Sequence, residues 1–116
     1  MAETNGTIEQ RRNACETLLQ KYPNRVPIIV KGAFGSTPPT RKSKFLIPAD
    51  MTAGMIVHEI RQNIPSLGKD EALFAFCGNT LLQTNRLAAD VYERFKDPAD
   101  GFLYITYSLE NTFGSV

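Results

Sequence analysis

The chain has 116 residues, a length that suits one globular domain with its own hydrophobic core. With 42% hydrophobic and 22% charged residues, and no run near the ~20 apolar residues of a membrane span, its composition is that of an ordinary soluble domain. The formal net charge of +1 argues against a nucleic-acid partner, because nucleic-acid-binding domains usually carry a strongly basic surface.

Residues 1–6 contain no apolar signal region, so we expect a cytoplasmic protein.

The first predicted element is a helix. Thr7 and Gln10 have the spacing of a capping box, in which each side chain bonds to the other residue's backbone N–H. The apolar residues that follow at helical spacing are Ile8, Cys15, Leu18, Leu19 and Tyr22, and Pro23 ends the helix.

Two strands joined by a long loop come next. Val26–Val30 is a β-type run, in which Pro27 indicates a sheet edge or the start of a strand. The Gly, Ser, Thr and Pro content of residues 32–39 predicts a loop. Lys44–Ile47 is the second strand, closed by Pro48.

A basic stretch coincides with these two strands. No acid occurs between Glu16 and Asp50, whereas six basic residues do: Lys21, Arg25, Lys31, Arg41, Lys42 and Lys44. Such a surface suits an acidic peptide or an anionic membrane, and an ordinary solvated face is the alternative.

Two more helices are predicted in the second half. Thr52 is placed to cap a helix that carries Met55, Ile56 and Ile60 and ends before Pro65. Thr84 is placed to cap a third helix, whose apolar residues continue to Phe95.

Two more strands accompany these helices. Leu73–Cys77 is a strand followed by a turn at Gly78-Asn79. Phe102–Tyr107 has apolar residues on both faces, which is typical of a central strand.

The element order, a helix followed by ββαβαβ, predicts an α+β fold with the ubiquitin-like β-grasp topology. We expect a mixed four-stranded sheet with crossover helices, preceded by an N-terminal helical extension. The expected divisions are the extension at residues 1–22, the ubiquitin-like domain at 23–107 and a flexible C-terminal tail at 108–116.

No catalytic group is apparent in the sequence. Cys15 and Cys77 lie on different predicted elements without metal-type spacing, so both are interpreted as small apolar core residues. His58 is the only histidine, and no nucleophile accompanies it. We therefore expect neither an enzyme, nor a metal site, nor a cofactor.

The tail carries the most suggestive local feature, Phe113-Gly114-Ser115-Val116. Glycine has no Cβ, so its carbonyl can enter a narrow catalytic channel that a side chain would block. Ser115 and Val116 cover the Gly114 carboxylate, so a protease would have to act before that carboxylate could be joined to another molecule.

Several segments resemble the signatures of the GABARAP-type autophagy ubiquitin-like modifiers. They are Lys21–Val30, Lys44–Thr52, Ile60-Arg61, Asn79–Leu81, Asp100–Ile105 and Phe113-Gly114. The resemblance runs from about Glu9 to Gly114, which is nearly the whole chain.

The resemblance implies a modifier that is joined to a lipid. A cysteine protease would cut between Gly114 and Ser115, and activating and conjugating enzymes would pass the Gly114 carboxylate to phosphatidylethanolamine. The protein, a monomer in solution, would then lie on autophagosomal membranes and bind cargo receptors and autophagy proteins through aromatic-x-x-aliphatic motifs. A non-conjugated ubiquitin-like module that binds peptides in solution is the alternative.

The resemblance also implies a peptide-binding site at the predicted edge strand, where free backbone groups can pair with an extended peptide. One side-chain pocket would be lined by Leu18, Pro27, Ile29, Lys44, Leu46 and Phe102. A second would be lined by Phe45, Ile47, Pro48, Met51, Ile56 and Ile60. Arg25, Lys42 and Arg61 would hold the acidic residues of the peptide, and core packing of the apolar residues is the alternative.

Three phenylalanines, Phe74, Phe76 and Phe113, would contact the processing enzymes by the same resemblance, although core packing accounts equally well for Phe74 and Phe76. Glu59 stands where relatives usually have an apolar residue, and Ala14 replaces a common acid. Both differences bear on which motifs the protein prefers.

Overall fold

The computed structural model describes residues 6–34 and 37–110. These residues form three helices and five strands in the order α1 (Ile8–Lys21), β1 (Arg25–Gly32), β2 (Lys44–Pro48), α2 (Gly54–Gln62), β3 (Phe74–Cys77), β4 (Thr80–Leu81), α3 (Ala88–Phe95) and β5 (Leu103–Ser108). The predicted order is confirmed, with β4 as an addition.

The strands form one mixed sheet in the order β2-β1-β5-β3-β4. β1 pairs antiparallel with β2 and parallel with β5, while β3 pairs antiparallel with both β5 and β4. The prediction of a central final strand is confirmed, and so is the edge position of β2. The count of four strands was wrong, because β4 is only two residues long and gives no periodic signal.

The two faces of the sheet have separate cores. On one face, α2 and α3 cover the main cluster, to which β5 contributes Leu103, Ile105 and Tyr107. On the other face, α1 covers a smaller cluster built on Cys15, Ile29 and Phe102. This division decides which residues of β1 and β2 can reach the surface beside α1.

The start of α1 is confirmed as a capping box. The Gln10 backbone N–H donates to the Thr7 hydroxyl at 3.1 Å, and the Thr7 N–H donates to the Gln10 amide oxygen at 2.9 Å. These bonds satisfy two backbone donors at the helix start, so local sequence fixes this end of α1.

The predicted caps of the other two helices were wrong. α2 follows Ala53 and α3 follows Leu87, and neither residue provides a side-chain cap. Instead, the segment before each helix provides a carbonyl acceptor for the first N–H of the other helix. The Gly54 N–H donates to the Thr84 carbonyl at 3.0 Å, and the Ala88 N–H donates to the Met51 carbonyl at 2.7 Å. Backbone carbonyls from a distant segment replace the side-chain oxygens that the sequence suggested.

A buried carboxylate joins α1 to the sheet. The side chain of Asp100 is 1% exposed and accepts from Arg11 Nε at 3.0 Å, from the Tyr104 hydroxyl and from the Phe102 backbone N–H at 2.9 Å. Burial and the bond to Asp100 raise the pKa of Tyr104 to about 12. Arg12 adds a second tie, donating to the Ala99 carbonyl at 3.0 Å.

The length of the helices and the end of β5 complete the description of the fold. None of the helices in the described ranges is long and apolar enough to span a bilayer. At the C-terminal end, β5 reaches Ser108, one residue beyond the predicted limit of the domain. Residues 113–115, which carry the predicted processing site, lie outside the described residues.

Candidate functional site

The free edge of the sheet at β2 is the first component of the candidate site. The Val30 N–H donates to the Ser43 carbonyl at 2.7 Å, which fixes the alternation of hydrogen bonds between β1 and β2. Phe45 and Ile47 therefore direct their backbone groups towards β1, whereas Lys44 and Leu46 direct theirs away from it. Pro48 fits the same outward position because it has no N–H to leave unpaired.

A groove of about 360 Å³ lies beside this edge, between α1 and β2. Its lining residues are Leu18, Arg25, Ile28, Lys42, Lys44, Phe45, Leu46 and Phe102. Leu18 and Leu46 are half-buried and Phe102 is 2% exposed, so the groove offers an apolar surface backed by the core under α1. The prediction did not include Ile28, whose side chain belongs to the main core.

Three cations border this groove. Lys44 Nζ lies 5.8 Å from the centre of the Phe102 ring, and Lys42 Nζ lies 4.9 Å from that of Phe45. The ion pairs of the described residues join Arg11 to Asp100 and Lys96 to Glu93, so Arg25, Lys42 and Lys44 have no carboxylate partner there. The groove therefore combines an apolar floor with positive charge, which suits an apolar side chain next to an acid.

Two residues predicted for this first pocket lie beneath it rather than in its wall. Pro27 is less than 2% exposed, and Ile29, 6% exposed, packs in the cluster under α1. They share a sheet face with Leu46 and Lys44, their partners in register, but the helix covers them. Pro27 also lies one residue before the β1–β5 pairing begins at Ile28, and β1 is not an edge strand.

The six residues predicted for a second pocket are mostly core residues. Phe45, Ile47, Ile56 and Ile60 are at most 4% exposed and belong to the main cluster. Pro48 is half-buried and Met51 is 42% exposed. A ligand side chain could enter here only if α2 moved away from β2, so the structure presents one open pocket at this edge and a closed region beside it.

The predicted acid-binding residues are separated. Arg25 and Lys42 border the groove. The Arg61 guanidinium instead binds the loop after α2, donating to the Glu71 carbonyl at 2.7 Å and to the Gly68 carbonyl at 3.4 Å. Arg61 would have to break these bonds before it could hold an acid of a peptide.

The remaining candidate residues lie on the other strands. Phe76 is completely buried and Phe74 is half-buried, and both alternate with Ala75 and Cys77 of the main core. Burial raises the pKa of the Cys77 thiol to about 11 and also raises that of Cys15. Both thiols are therefore protonated at neutral pH, which makes them poor nucleophiles. Within the described ranges, no group of three His, Cys, Asp or Glu side chains could hold a metal ion.

Another cavity lies at the opposite edge of the sheet. It measures about 110 Å³ and is lined by residues of β4, α3 and the connection between them, including Leu81, Arg86 and Arg94. An open hollow of about 720 Å³ adjoins it along residues 81–87. Because β4 has only two residues, this edge offers little backbone for an incoming strand, and β2 is the better candidate.

Comparisons with known proteins show which proteins the chain is similar to. A family model described as "Autophagy protein Atg8 ubiquitin like" matches residues 10–114. Autophagy-related protein 8 of Dictyostelium discoideum is 46% identical over 93% of this chain and 88% of its own length. Autophagy-related protein 8a of Arabidopsis thaliana is 46% identical over 94% of this chain and 88% of its own.

Two solved structures share the fold. Trypanosoma brucei ATG8 superimposes with a TM-score of 0.82 at 33% identity, covering 91% of this chain and 90% of its own. Plasmodium falciparum Atg8, solved in complex with a P. falciparum Atg3 peptide, gives 0.80 at 31% identity, covering 93% and 94%. The ubiquitin-like α+β fold is thereby confirmed.

Proposed function

The chain belongs to the Atg8 family of ubiquitin-like autophagy proteins, and from this membership we propose that it is a lipid-conjugated adaptor. In this proposal its Gly114 carboxylate is joined to phosphatidylethanolamine, and the groove at β2 binds short motifs of partner proteins. The groove beside β2 is the observation that supports peptide binding, because it combines the free outer edge of a strand, an apolar floor and three cations.

The tail sequence supports the conjugation part. We propose that a cysteine protease cuts between Gly114 and Ser115, and that activating and conjugating enzymes then act on Gly114. The complex of P. falciparum Atg8 with an Atg3 peptide supports a conjugating enzyme among the partners. The protein would be cytoplasmic until lipidation places it on autophagosomal membranes, and it would act as a modifier rather than a catalyst.

The finer assignment to the GABARAP type is also part of the proposal. It depends on the Lys21–Val30 and Lys44–Thr52 segments. Glu59 is half-buried on α2, beside the closed region, and Ala14 is half-buried on α1, next to the groove wall. Both positions could change motif preference within the family.

Mass spectrometry of the cell-derived protein tests the conjugation. We expect a chain that ends at Gly114 and carries the mass of a phosphatidylethanolamine in the membrane fraction. A chain that retains Ser115 and Val116 in every fraction would favour the alternative, a peptide-binding module that stays in solution.

The expected affinity for a motif peptide is micromolar. One apolar anchor in the groove, and a second in the closed region once α2 moves away from β2, would contribute roughly 1.5–3 kcal/mol each. A few strand hydrogen bonds would add about 0.5–1.5 kcal/mol each. Ordering of the peptide offsets part of this gain, so we expect weak binding; a micromolar Kd corresponds to a binding free energy of about −8 kcal/mol.

Replacing Leu46 with alanine should weaken motif binding by about thirtyfold, or roughly 2 kcal/mol, because the half-buried side chain forms the floor of the groove. The measurement is calorimetric titration with an acidic aromatic-x-x-aliphatic peptide. Thermal melting of the same variant should show a modest loss of stability.

Leu81→Ala is the matched control, because Leu81 is a 43% exposed leucine at the other edge of the sheet. Its effect on affinity should stay within about twofold. A large fall in melting temperature for Leu46→Ala with unchanged affinity would assign Leu46 to the core instead of the site.

Motif binding should also weaken as salt rises, because the flanking acids of the peptide would meet the exposed charges of Arg25 and Lys42 and the half-buried Lys44. Each such pair contributes about 0.2–1 kcal/mol at low ionic strength. Titrations at about 0.05 M and 0.5 M salt measure the effect. Equal affinity at both concentrations would contradict the proposed role of the basic stretch.

A further inference from the structure

Arg25 covers a backbone acceptor at the free edge of the sheet. Its Nη1 donates to the Leu46 carbonyl oxygen at 3.2 Å, although the two residues are 21 positions apart. That carbonyl is one of those that β2 directs away from β1, so it faces the position of an incoming strand. The acceptor that a peptide strand would use is therefore already occupied.

The register explains how Arg25 reaches this atom. Arg25 stands opposite Pro48, and both share a sheet face with Leu46. The Pro48 carbonyl accepts the Met51 N–H at 3.1 Å. Two of the three outward carbonyls of β2 thus already accept hydrogen bonds from this protein, which limits pairing of the edge with unrelated strands.

The guanidinium has a stronger alternative partner in an acidic peptide. Arg25 is exposed, borders the groove and has no carboxylate partner among the described residues. A carboxylate binds a guanidinium more strongly than a carbonyl does, because both groups are charged and two parallel hydrogen bonds can form. An acid on the incoming peptide would therefore draw Arg25 away from Leu46.

We propose that Arg25 is a specificity-determining latch, which covers the Leu46 carbonyl until an acid beside the peptide's aromatic residue withdraws it. The inference rests on the proposed peptide-binding function and adds to it: the acid is needed to free the strand edge as well as to form an ion pair. The latch favours acidic motifs by penalising neutral ones, which is a repulsive contribution to specificity.

The test is a double-mutant cycle between the protein and two peptides. One peptide is an acidic-flanked aromatic-x-x-aliphatic motif, and the other has the same sequence with the flanking acids changed to their amides. The variant Arg25→Met keeps an apolar stem and removes every donor. Lys42→Met is the control, because Lys42 also borders the groove but makes no described bond to an outward carbonyl of β2.

If Arg25 is a latch, its removal should raise the affinity for the neutral peptide, which the loss of an ordinary ion pair would not do. Arg25→Met should bind the neutral peptide at least about threefold more tightly than the unmodified protein does, while its preference for the acidic peptide falls to the part that Lys42 and Lys44 supply. Lys42→Met should weaken binding of the acidic peptide and leave binding of the neutral one unchanged.

Several outcomes would overturn the inference. If Arg25→Met binds the neutral peptide no more tightly than the unmodified protein does, Arg25 is a simple partner for acids and the latch is wrong, whereas the peptide-binding function stands. If the unmodified protein binds neither peptide, the proposed function fails and the latch fails with it. Arg25→Leu, which also has no donor, repeats the measurement should Arg25→Met fold poorly, and the same gain in affinity for the neutral peptide is expected.

Discussion

Replacement of Gly114 by alanine is expected to abolish lipid conjugation. The added methyl group would have to enter catalytic channels that accept glycine because it lacks a Cβ. The protein carrying this change should retain Ser115 and Val116 and stay out of the membrane fraction, as measured by intact mass and fractionation of cell extracts. A membrane-bound, lipid-bearing Gly114→Ala protein would exclude Gly114 as the conjugation site.

Ser115→Ala is the control for this experiment, because it changes the neighbouring residue and leaves the glycine carbonyl unchanged. Its cleavage and conjugation should proceed normally. A chain truncated after residue 114 separates the two enzymatic steps. With Gly114 it should be conjugated without the protease, and with alanine at that position it should fail at activation.

The second large effect concerns the fold. Asp100→Asn should lower the free energy of unfolding by about 2–3 kcal/mol, because the amide cannot accept from all the donors that now surround the carboxylate. This loss of unfolding free energy is smaller than that expected on breaking a fully buried ion pair, since the Arg11 side chain is 23% exposed and water can solvate its charge. Urea denaturation measures the change.

Arg12→Gln is the matched control, because it removes the neighbouring tie of α1, an exposed bond to the Ala99 carbonyl. Its effect should stay below about 1 kcal/mol. Equal stability of the Asp100→Asn variant and the unmodified protein would show that the carboxylate is dispensable. Loss of stability should also reach the peptide groove, because Asp100 fixes the backbone of Phe102 and holds α1, which carries Leu18.

Local patterns in the sequence determined the elements, while the groove residues were predicted from the family resemblance. The capping box fixes the start of α1 through residues only three positions apart. The apolar run of β5 predicted a central strand, whereas Pro27, the residue taken as a sign of an edge or a strand start, lies on β1 inside the sheet. Each of these signals depends on near neighbours or on burial of both faces, which the order of residue types encodes directly.

Contacts between distant segments decided the rest. Ile56 and Ile60 have the same apolar character as Leu46. They pack in the main core because they lie on the buried face of α2, whereas Leu46 borders an open groove. Backbone carbonyls that lie 30 and 37 positions away in sequence satisfy the starts of α2 and α3, and no side chain near either start predicts these bonds. The contacts of Asp100 and Arg25 arise in the same way, because a charged side chain selects among donors and acceptors that only folding brings within reach.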